Sequence, residues 1–167
     1  MNRQVLITQG VSGSGKSTFA RDVERRLERR TMVTVCSADA YFEREGEYRF
    51  DVAKLGEAHA HCFRDFCDNL SWGTNLVIVD NTSTTTMEIA PYMLAVAAAN
   101  LSLPESKRYT ALIVRFACDL EAAARRNAHG VPLRGIQAQA GRIAGFDEQN
   151  FFGWSVCTDP SSAIVWP

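Results

Sequence analysis

A glycine-rich run near the start of the sequence constrains this chain more than any other feature. Residues 10–17, GVSGSGKS, fit the pattern G-x-x-x-x-G-K-[S/T]. The preceding residues 5–7 form a short apolar, partly β-branched run that is typical of a buried strand. After the run, Phe19, Val23 and Leu27 recur every four residues among charged residues, which predicts an amphipathic helix. A strand, a glycine-rich turn and a helix are together the context in which this motif binds phosphate.

Each residue type in the turn has a physical role toward a nucleoside triphosphate. Glycines let the backbone curl around an anion, so that N–H groups and the helix N-terminus point at phosphate oxygens. Lys16 would reach the β- and γ-phosphates, and the Ser17 hydroxyl would ligate Mg²⁺. A turn that binds no nucleotide is the alternative. We predict that ATP and Mg²⁺ bind at Gly10, Ser12, Gly13, Ser14, Gly15, Lys16, Ser17 and Thr18.

Length and composition are those of an ordinary globular domain, and we predict a single domain over residues 1–167. Of the 167 residues, 46% are hydrophobic and 22% are charged, which is enough for one core. No apolar stretch approaches the roughly 20 residues of a membrane span, so no membrane partner is expected. Five cysteines without a Cys-x-x-Cys spacing indicate reduced thiols and a cytoplasmic location. The net charge of −1 argues against a surface built for long nucleic acid, but it allows local capture of a strand end.

Apolar runs and helical patterns alternate along the rest of the chain. Further strands are predicted at residues 32–36, 76–79 and 111–114, and the tail at 154–166 is expected to add a strand or hairpin. This alternation predicts a doubly wound parallel sheet with helices on both faces. Ligands of such sheets bind beyond the carboxyl ends of the strands. The residues that follow the strands should therefore line one edge: Asp39, Asp80, Asn81, Thr82 and Asp119.

Polar residues mark the expected starts of several helices. Thr85 and Glu88 have the spacing of a capping box, and Asp119 would cap a helix that ends at Arg126. Pro91 is expected to kink or restart the helix that follows the capping box.

The middle and the end of the chain carry weaker patterns. Residues 43–49 are polar and predict a loop, and Asp51 would cap the helix that follows it. His59 lies on the apolar side of that helix and is interpreted as a buried, hydrogen-bonded side chain. A link at 129–135 precedes a short helix predicted at 136–143.

A basic segment after the fourth strand distinguishes among the classes of P-loop protein. The chain has no Asn-Lys-x-Asp element for guanine recognition, and it is short for an oligomeric ATPase module. In small P-loop kinases, a basic lid at this place closes over the triphosphate. We predict such a lid at about residues 125–135, with Arg125 and Arg126 on the phosphates. A solvated helix end is the alternative interpretation.

Six motifs in a fixed order make the resemblance specific. After the P-loop come SADAYF at 37–42, YRFD at 48–51, LGEAH at 55–59, VDNT at 79–82 and RNAHGVP at 126–132. Together they resemble the P-loop kinase domain of the Nedd-binding protein 2-like family, which is similar to the 5′-hydroxyl polynucleotide kinase domain of bacteriophages. The resemblance covers roughly residues 3–145. It implies an adenylate-kinase-like three-layer fold and phosphoryl transfer from ATP to a hydroxyl.

The resemblance also implies residue roles. It makes Asp39 the general base, with Lys16 and Arg126 acting on the transferred phosphate. Phage-type kinases often have an acidic residue and an arginine shortly after this aspartate, where this chain has Ala40 and Phe42. On the acceptor side we predict substrate contacts from Asp39, Tyr41, Asp80, Asn81 and Thr82, with Asp80 binding either Mg²⁺ or the substrate.

The leading hypothesis is a kinase for the 5′-hydroxyl end of RNA or DNA. A kinase for a nucleoside, a modified base or another small hydroxyl compound stays open. A nucleotide-gated binding module without an acceptor is the alternative from another class. The run of Arg25, Arg26, Arg29 and Arg30 alternates with acidic residues, so we interpret it as a solvated helix face.

Overall fold

A five-stranded parallel sheet forms the centre of the computed structural model, which describes residues 3–44, 47–146 and 154–164. The spatial order of its strands is β2-β5-β1-β6-β7, and every neighbouring pair is parallel. These strands are β1 (Arg3–Gln9), β2 (Val33–Cys36), β5 (Leu76–Val79), β6 (Tyr109–Arg115) and β7 (Val156–Cys157). All four strands predicted ahead of the tail are confirmed, and the tail adds the strand β7.

The described part of the chain contains five α-helices, three of which cover the two faces of this sheet while the last two pack against each other. Their bounds are α1 (Lys16–Leu27), α2 (Leu55–Trp72), α3 (Thr86–Ser102), α4 (Leu120–Arg126) and α5 (Leu133–Ala144). Helices α2 and α3 pack on one face, and α1 packs on the other together with a short 3₁₀ turn, Pro160–Ser162, and the residues after it. The predicted doubly wound α/β fold is therefore confirmed. None of the described helices is long and apolar enough to cross a membrane.

The central strand explains why its sequence is apolar without alternation. Val5, Leu6 and Ile7 are all fully buried. Val5 and Ile7 contact the core beneath α2 and α3, whereas Leu6 points to the opposite face, against α1. A parallel sheet covered on both faces needs apolar side chains on both of its sides.

The predicted caps of α3 and α4 are confirmed, whereas Asp51 caps the 3₁₀ turn Val52–Lys54 that precedes α2. Thr85 and Glu88 form a reciprocal capping box at the start of α3. The Asp119 side chain accepts a hydrogen bond from the Ala122 N–H at 2.8 Å. Helix α3 continues through Pro91 without restarting. Each cap satisfies backbone donors that the first turn of a helix leaves without partners.

Two local predictions were wrong, and one confirmed helix has a different start. The segment predicted as a loop at 43–49 contains a two-stranded antiparallel hairpin, β3 (Glu43–Arg44) with β4 (Glu47–Tyr48). Helix α5 begins three residues earlier than predicted, because the Pro132 carbonyl already accepts a hydrogen bond from the Gly135 N–H at 2.8 Å. His59 is exposed.

The orientation of α2 explains the error at His59. The buried stripe of this helix contains Ala58, Cys62, Phe66 and Leu70, which are spaced four residues apart. His59 follows Ala58 by one residue, which rotates it about 100° away from the core.

Candidate active site

The phosphate-binding turn needs glycine at two positions for different reasons. Gly13 and Gly15 have φ angles of +80° and +103°, a region that other residues rarely adopt. At Gly13 a side chain would also clash, because a Cβ there would lie 2.1 Å from the Ala123 carbonyl oxygen of α4. At Gly15 no atom lies within 4 Å of such a Cβ, so only the backbone conformation requires glycine.

A cavity of about 810 Å³ opens at the carboxyl ends of the strands. It brings together most of the predicted site residues, from the turn, from the ends of β2 and β5, and from the segment after α4. The predicted residues that line it are Ser12, Gly13, Gly15, Lys16, Ser17, Thr18, Asp39, Asp80, Asn81, Thr82 and Arg126. Those that do not line it are Gly10, Ser14, Tyr41 and Arg125.

Lys16 lies almost entirely below the surface of the turn, with 7% of the residue exposed. Its Nζ donates to the Val11 carbonyl oxygen at 2.8 Å and to the Ser14 hydroxyl at 3.4 Å. Burial lowers the pKa of this ammonium, and the negative charges of Asp80 and Asp39 oppose that shift. The turn thus holds a desolvated cation directly beneath its glycines.

Asp80 is the acidic counterpart of this lysine. It is 8% exposed, and burial raises its pKa, whereas a hydrogen bond with Ser17 and the charge of Lys16 act in the opposite direction. Its Oδ1 is buried and has no hydrogen-bond partner among the described residues. A buried carboxylate oxygen without a partner, next to a serine hydroxyl, fits a hard divalent cation such as Mg²⁺.

Asp39 lies across the cavity, in the 3₁₀ turn Asp39–Phe42 that follows β2. Its side chain is 48% exposed, and its Oδ2 lies 3.4 Å from the Nε2 of His129. His129 belongs to the segment between α4 and α5 that was predicted as a lid. The contact therefore joins the predicted lid to the residue predicted to be the general base.

Asn81 fixes the end of β2 relative to the end of β5. Its Oδ1 accepts a hydrogen bond from the Ala38 N–H at 3.0 Å, and its Nδ2 donates to the Cys62 sulfur at 3.4 Å. The Thr8 hydroxyl donates to its carbonyl oxygen at 3.1 Å. Its side-chain amide therefore fixes Ala38, which directly precedes Asp39. A direct contact between Asn81 and a substrate stays a prediction.

The two arginines of the predicted lid lie in different surroundings. Arg126 lines the cavity, and its Nε donates to the Ala122 carbonyl oxygen at 3.2 Å. Arg125 points away, with its Nη1 3.9 Å from the Glu121 carboxylate and both side chains more than 70% exposed. Of these two arginines, Arg126 is therefore the one placed to contact a ligand in this cavity.

Tyr41 also lies away from the main cavity. Its hydroxyl donates to the Glu57 carboxylate at 2.7 Å, and its ring borders a second, smaller cavity of about 280 Å³. The adjacent Phe42 is buried in the core. The 3₁₀ turn thus presents Asp39 to the main cavity but neither of these aromatic rings.

Sequence reasoning missed Gln139. This residue lies on α5, where its Oε1 accepts a hydrogen bond from the Ser12 N–H at 2.8 Å and its Nε2 donates to the Ser12 hydroxyl at 3.1 Å. Nothing in the sequence distinguishes this glutamine from other polar residues of an amphipathic helix, so no signal could have identified it.

Two arginines of α1 also line the cavity, namely Arg21 and Arg25. They follow Ser17 by four and eight residues, and this spacing places all three on one face of the helix. This spacing in the sequence would have allowed Arg21 and Arg25 to be predicted on the same side of α1 as Ser17. Arg25 is 78% exposed and pairs with Asp22, as expected for a solvated face, and it also borders the cavity.

The fold and the phosphate-binding turn together define a P-loop kinase fold. The chain belongs to the family whose model is described as an AAA domain, which matches residues 5–140. It is similar to NEDD4-binding protein 2 of Homo sapiens, with 30% identity over 131 residues. That match spans 76% of this chain but only 7% of the human protein.

Solved structures support the same fold. A chain in the structure of the Pnkp1/Rnl/Hen1 RNA repair complex matches with a TM-score of 0.60 and 18% identity, over 86% of this chain and 45% of that one. The Mycobacterium tuberculosis APS kinase CysC, solved with AMPPNP and APS, matches with a TM-score of 0.54 and 24% identity, over 87% of this chain and 78% of that one. At these identities, the matches establish the kinase fold and leave the substrate open.

We predict that Gly13→Ala abolishes ATP binding and destabilises the fold. The φ angle of +80° and the approach to the Ala123 carbonyl force the turn or α4 to move, at a cost of about 1–3 kcal/mol. Urea unfolding and ATP titration measure the two effects.

Gly141→Ala in α5 is the matched control. No atom lies within 4 Å of a Cβ at that position, so we expect unchanged ATP binding and a gain of about 0.5–1 kcal/mol in stability. Wild-type ATP binding by Gly13→Ala would contradict the assigned role of the turn.

Proposed function

We propose that this chain is an ATP-dependent kinase that transfers the γ-phosphate to a hydroxyl, with the 5′-hydroxyl end of RNA or DNA as the leading acceptor. The observation that carries the proposal is that Lys16 and Asp39 border one cavity, at the ends of β1 and β2. A cation for the donor phosphates and a carboxylate for the acceptor hydroxyl are the two groups that such a transfer needs. The five cysteines are free thiols, which supports a cytoplasmic location.

The donor side would be formed by the turn at residues 10–17. Backbone N–H groups and the N-terminus of α1 would bind the β- and γ-phosphates, and the Lys16 ammonium would neutralise them. Ser17 and Asp80 would hold Mg²⁺, which supplies further neutralisation of phosphate charge when it is bound.

On the acceptor side, the Asp39 carboxylate would take the proton of the acceptor hydroxyl. The hydroxyl oxygen then forms a bond to the γ-phosphorus, while the bond from that phosphorus to the β,γ-bridging oxygen breaks and ADP leaves. Asp39 is half exposed, so an acceptor can reach it from solvent. Arg126 would lie over the charge that develops on the transferred group.

The preference for a nucleic-acid acceptor has support from two sources. Among the structural matches, the RNA repair complex has the higher TM-score, 0.60 against 0.54 for APS kinase. The ordered motifs of the sequence resemble the polynucleotide kinase domain of bacteriophages. A small-molecule acceptor remains the competing hypothesis, because APS kinase shares the same fold.

The decisive experiment is transfer of labelled γ-phosphate from ATP to a panel of acceptors. The panel contains 5′-hydroxyl RNA and DNA oligonucleotides, nucleosides and small sugar alcohols, with Lys16→Ala as the inactive control. We expect transfer to the oligonucleotides and almost none by the variant, which lacks the turn's only ammonium. Transfer only to small alcohols would favour the competing acceptor class. ATP binding without any transfer would indicate a binding module.

We predict that Asp39→Asn lowers the maximal rate of transfer by about 10²- to 10⁴-fold, because an amide cannot accept the proton. A loose transition state needs little early proton removal, so the loss should be toward the lower end of that range. Single-turnover rates at saturating ATP measure the effect, and ATP affinity should change little. Full activity of the folded variant would refute the assignment, as would a variant that does not fold.

We predict that Arg126→Ala lowers the maximal rate more than it lowers ATP affinity. A cation over the transferred phosphate stabilises mainly the transition state, and its loss should cost roughly 10- to 100-fold in rate. Arg125→Ala is the comparison, since that arginine borders Glu121 outside the cavity and its removal should cost less than twofold. Equal losses from the two variants would contradict the distinction between them.

A further inference from the structure

One flank of α1 adds positive charge to the cavity. Arg21 and Arg25 follow Ser17 at intervals of four residues, so each lies about 6 Å further along the helix. Both side chains border the cavity. The cavity therefore extends along α1, beyond the turn that would bind the donor phosphates.

The charges on this flank do not cancel. Asp22 is shared between two arginines, with its Oδ1 2.7 Å from Arg25 Nη2 and its Oδ2 2.8 Å from Arg26 Nε. Arg21 donates from its Nε to the Ser17 carbonyl oxygen at 3.1 Å. No described carboxylate lies within 4.0 Å of the Arg21 guanidinium. The flank therefore keeps a net positive charge, with the terminal nitrogens of Arg21 available to a ligand.

This flank lies on the side of Asp39 and Asp80. Helix α1 packs against β2, which is the edge strand of the sheet and leads into Asp39. Arg21 and Asp80 line the same cavity, and burial raises the pKa of the Asp80 carboxyl while the positive charge of Arg21 acts to lower it. Among the described residues, β2 has a neighbouring strand on one side only, so no described strand closes the cavity at this edge. A long acceptor could therefore leave the cavity here.

We infer that Arg21, with Arg25 one turn further along, binds a phosphate of the acceptor next to the hydroxyl that receives the γ-phosphate. The inference rests on the proposed kinase function and narrows its acceptor to a phosphodiester strand. A guanidinium binds phosphate through paired N–H groups, and such charge-assisted hydrogen bonds are strong. A neutral sugar or alcohol would leave both arginines without a ligand.

The test compares two acceptors that differ by one phosphate, a nucleoside 3′-monophosphate and the same nucleoside without it. For wild type, we expect kcat/KM to be higher with the phosphorylated acceptor. Arg21→Ala should lower the kcat/KM for the phosphorylated acceptor roughly 10- to 100-fold. The kcat/KM for the nucleoside without the phosphate and the KM for ATP should each change less than twofold. Arg21→Lys keeps the charge without the paired N–H groups and should show an intermediate loss.

Arg26→Ala is the matched control, because Arg26 lies on the same helix and has the same charge but does not border the cavity. We expect it to match wild type with both acceptors. Equal losses by Arg21→Ala on both acceptors would overturn the inference. The inference would also be overturned if Arg21→Ala raised the KM for ATP by as large a factor as it lowered the kcat/KM for the phosphorylated acceptor. Arg21 would then bind the donor.

A binding measurement separates this inference from the proposed function. A labelled 5′-hydroxyl oligonucleotide is titrated with the protein at several salt concentrations, without catalysis. The logarithm of the binding constant falls linearly with the logarithm of the salt concentration. Each lost phosphate contact makes this slope shallower by about 0.7 for a single strand. Arg21→Ala should show this loss and Arg26→Ala should not. If wild type binds the oligonucleotide in this way but transfers no phosphate, only the kinase proposal fails. If wild type does not bind it, the inference fails.

Discussion

The buried ammonium of Lys16 is the constraint on which the rest of the site depends. A lysine that is only 7% exposed needs acceptors close by, and here they are the Val11 carbonyl and the Ser14 hydroxyl. Both acceptors belong to the turn, which can bring them to the ammonium only because Gly13 and Gly15 adopt positive φ angles. Burial lowers the pKa of Lys16 and raises that of Asp80, so both charged forms are disfavoured without a ligand. Phosphate groups and a divalent cation are the charges that would compensate them.

The proposed acceptor side depends on contacts between residues that are distant in sequence. Asp39 follows β2, but its position relative to the turn is set through Asn81. The Asn81 side-chain oxygen accepts a hydrogen bond from the Ala38 N–H, and its backbone carbonyl oxygen accepts one from the Thr8 hydroxyl. Three neighbouring strands are thereby joined at their carboxyl ends, where the parallel register places them together. The Thr82 carbonyl accepts a hydrogen bond from the Gly10 N–H at 3.0 Å and completes this connection to the turn. The polar residues after β5 thus hold the two halves of the site in register.

The parts of the structure that sequence predicted are those with local causes. Apolar runs gave the strands, and side chains such as Thr85 and Asp119 marked helix starts, because capping involves residues only three positions apart. The orientation of α2 was not predicted correctly, because it depends on tertiary packing. In the structure Ala58 is buried in the core and His59 is exposed. The contact between Gln139 and Ser12 spans 127 residues and depends on how α5 docks, so no local pattern encodes it. Prediction therefore succeeded for the turn and the strand ends, and it was incomplete for the walls of the cavity.

Helix α5 and the segment before it contact the proposed donor and acceptor sides through a few polar side chains. Gln139 of α5 holds Ser12 of the turn, and Arg142 of the same helix donates to the Thr84 hydroxyl at 2.9 Å, next to the capping box of α3. In the segment before α5, His129 reaches Asp39 at 3.4 Å. Helix α5 is therefore anchored at the turn, and the segment that leads into it contacts the proposed base. A shift of this segment together with α5 would change the surroundings of both Asp39 and the turn. His129 of the segment contacts Asp39, and Gln139 of α5 bonds to Ser12 of the turn.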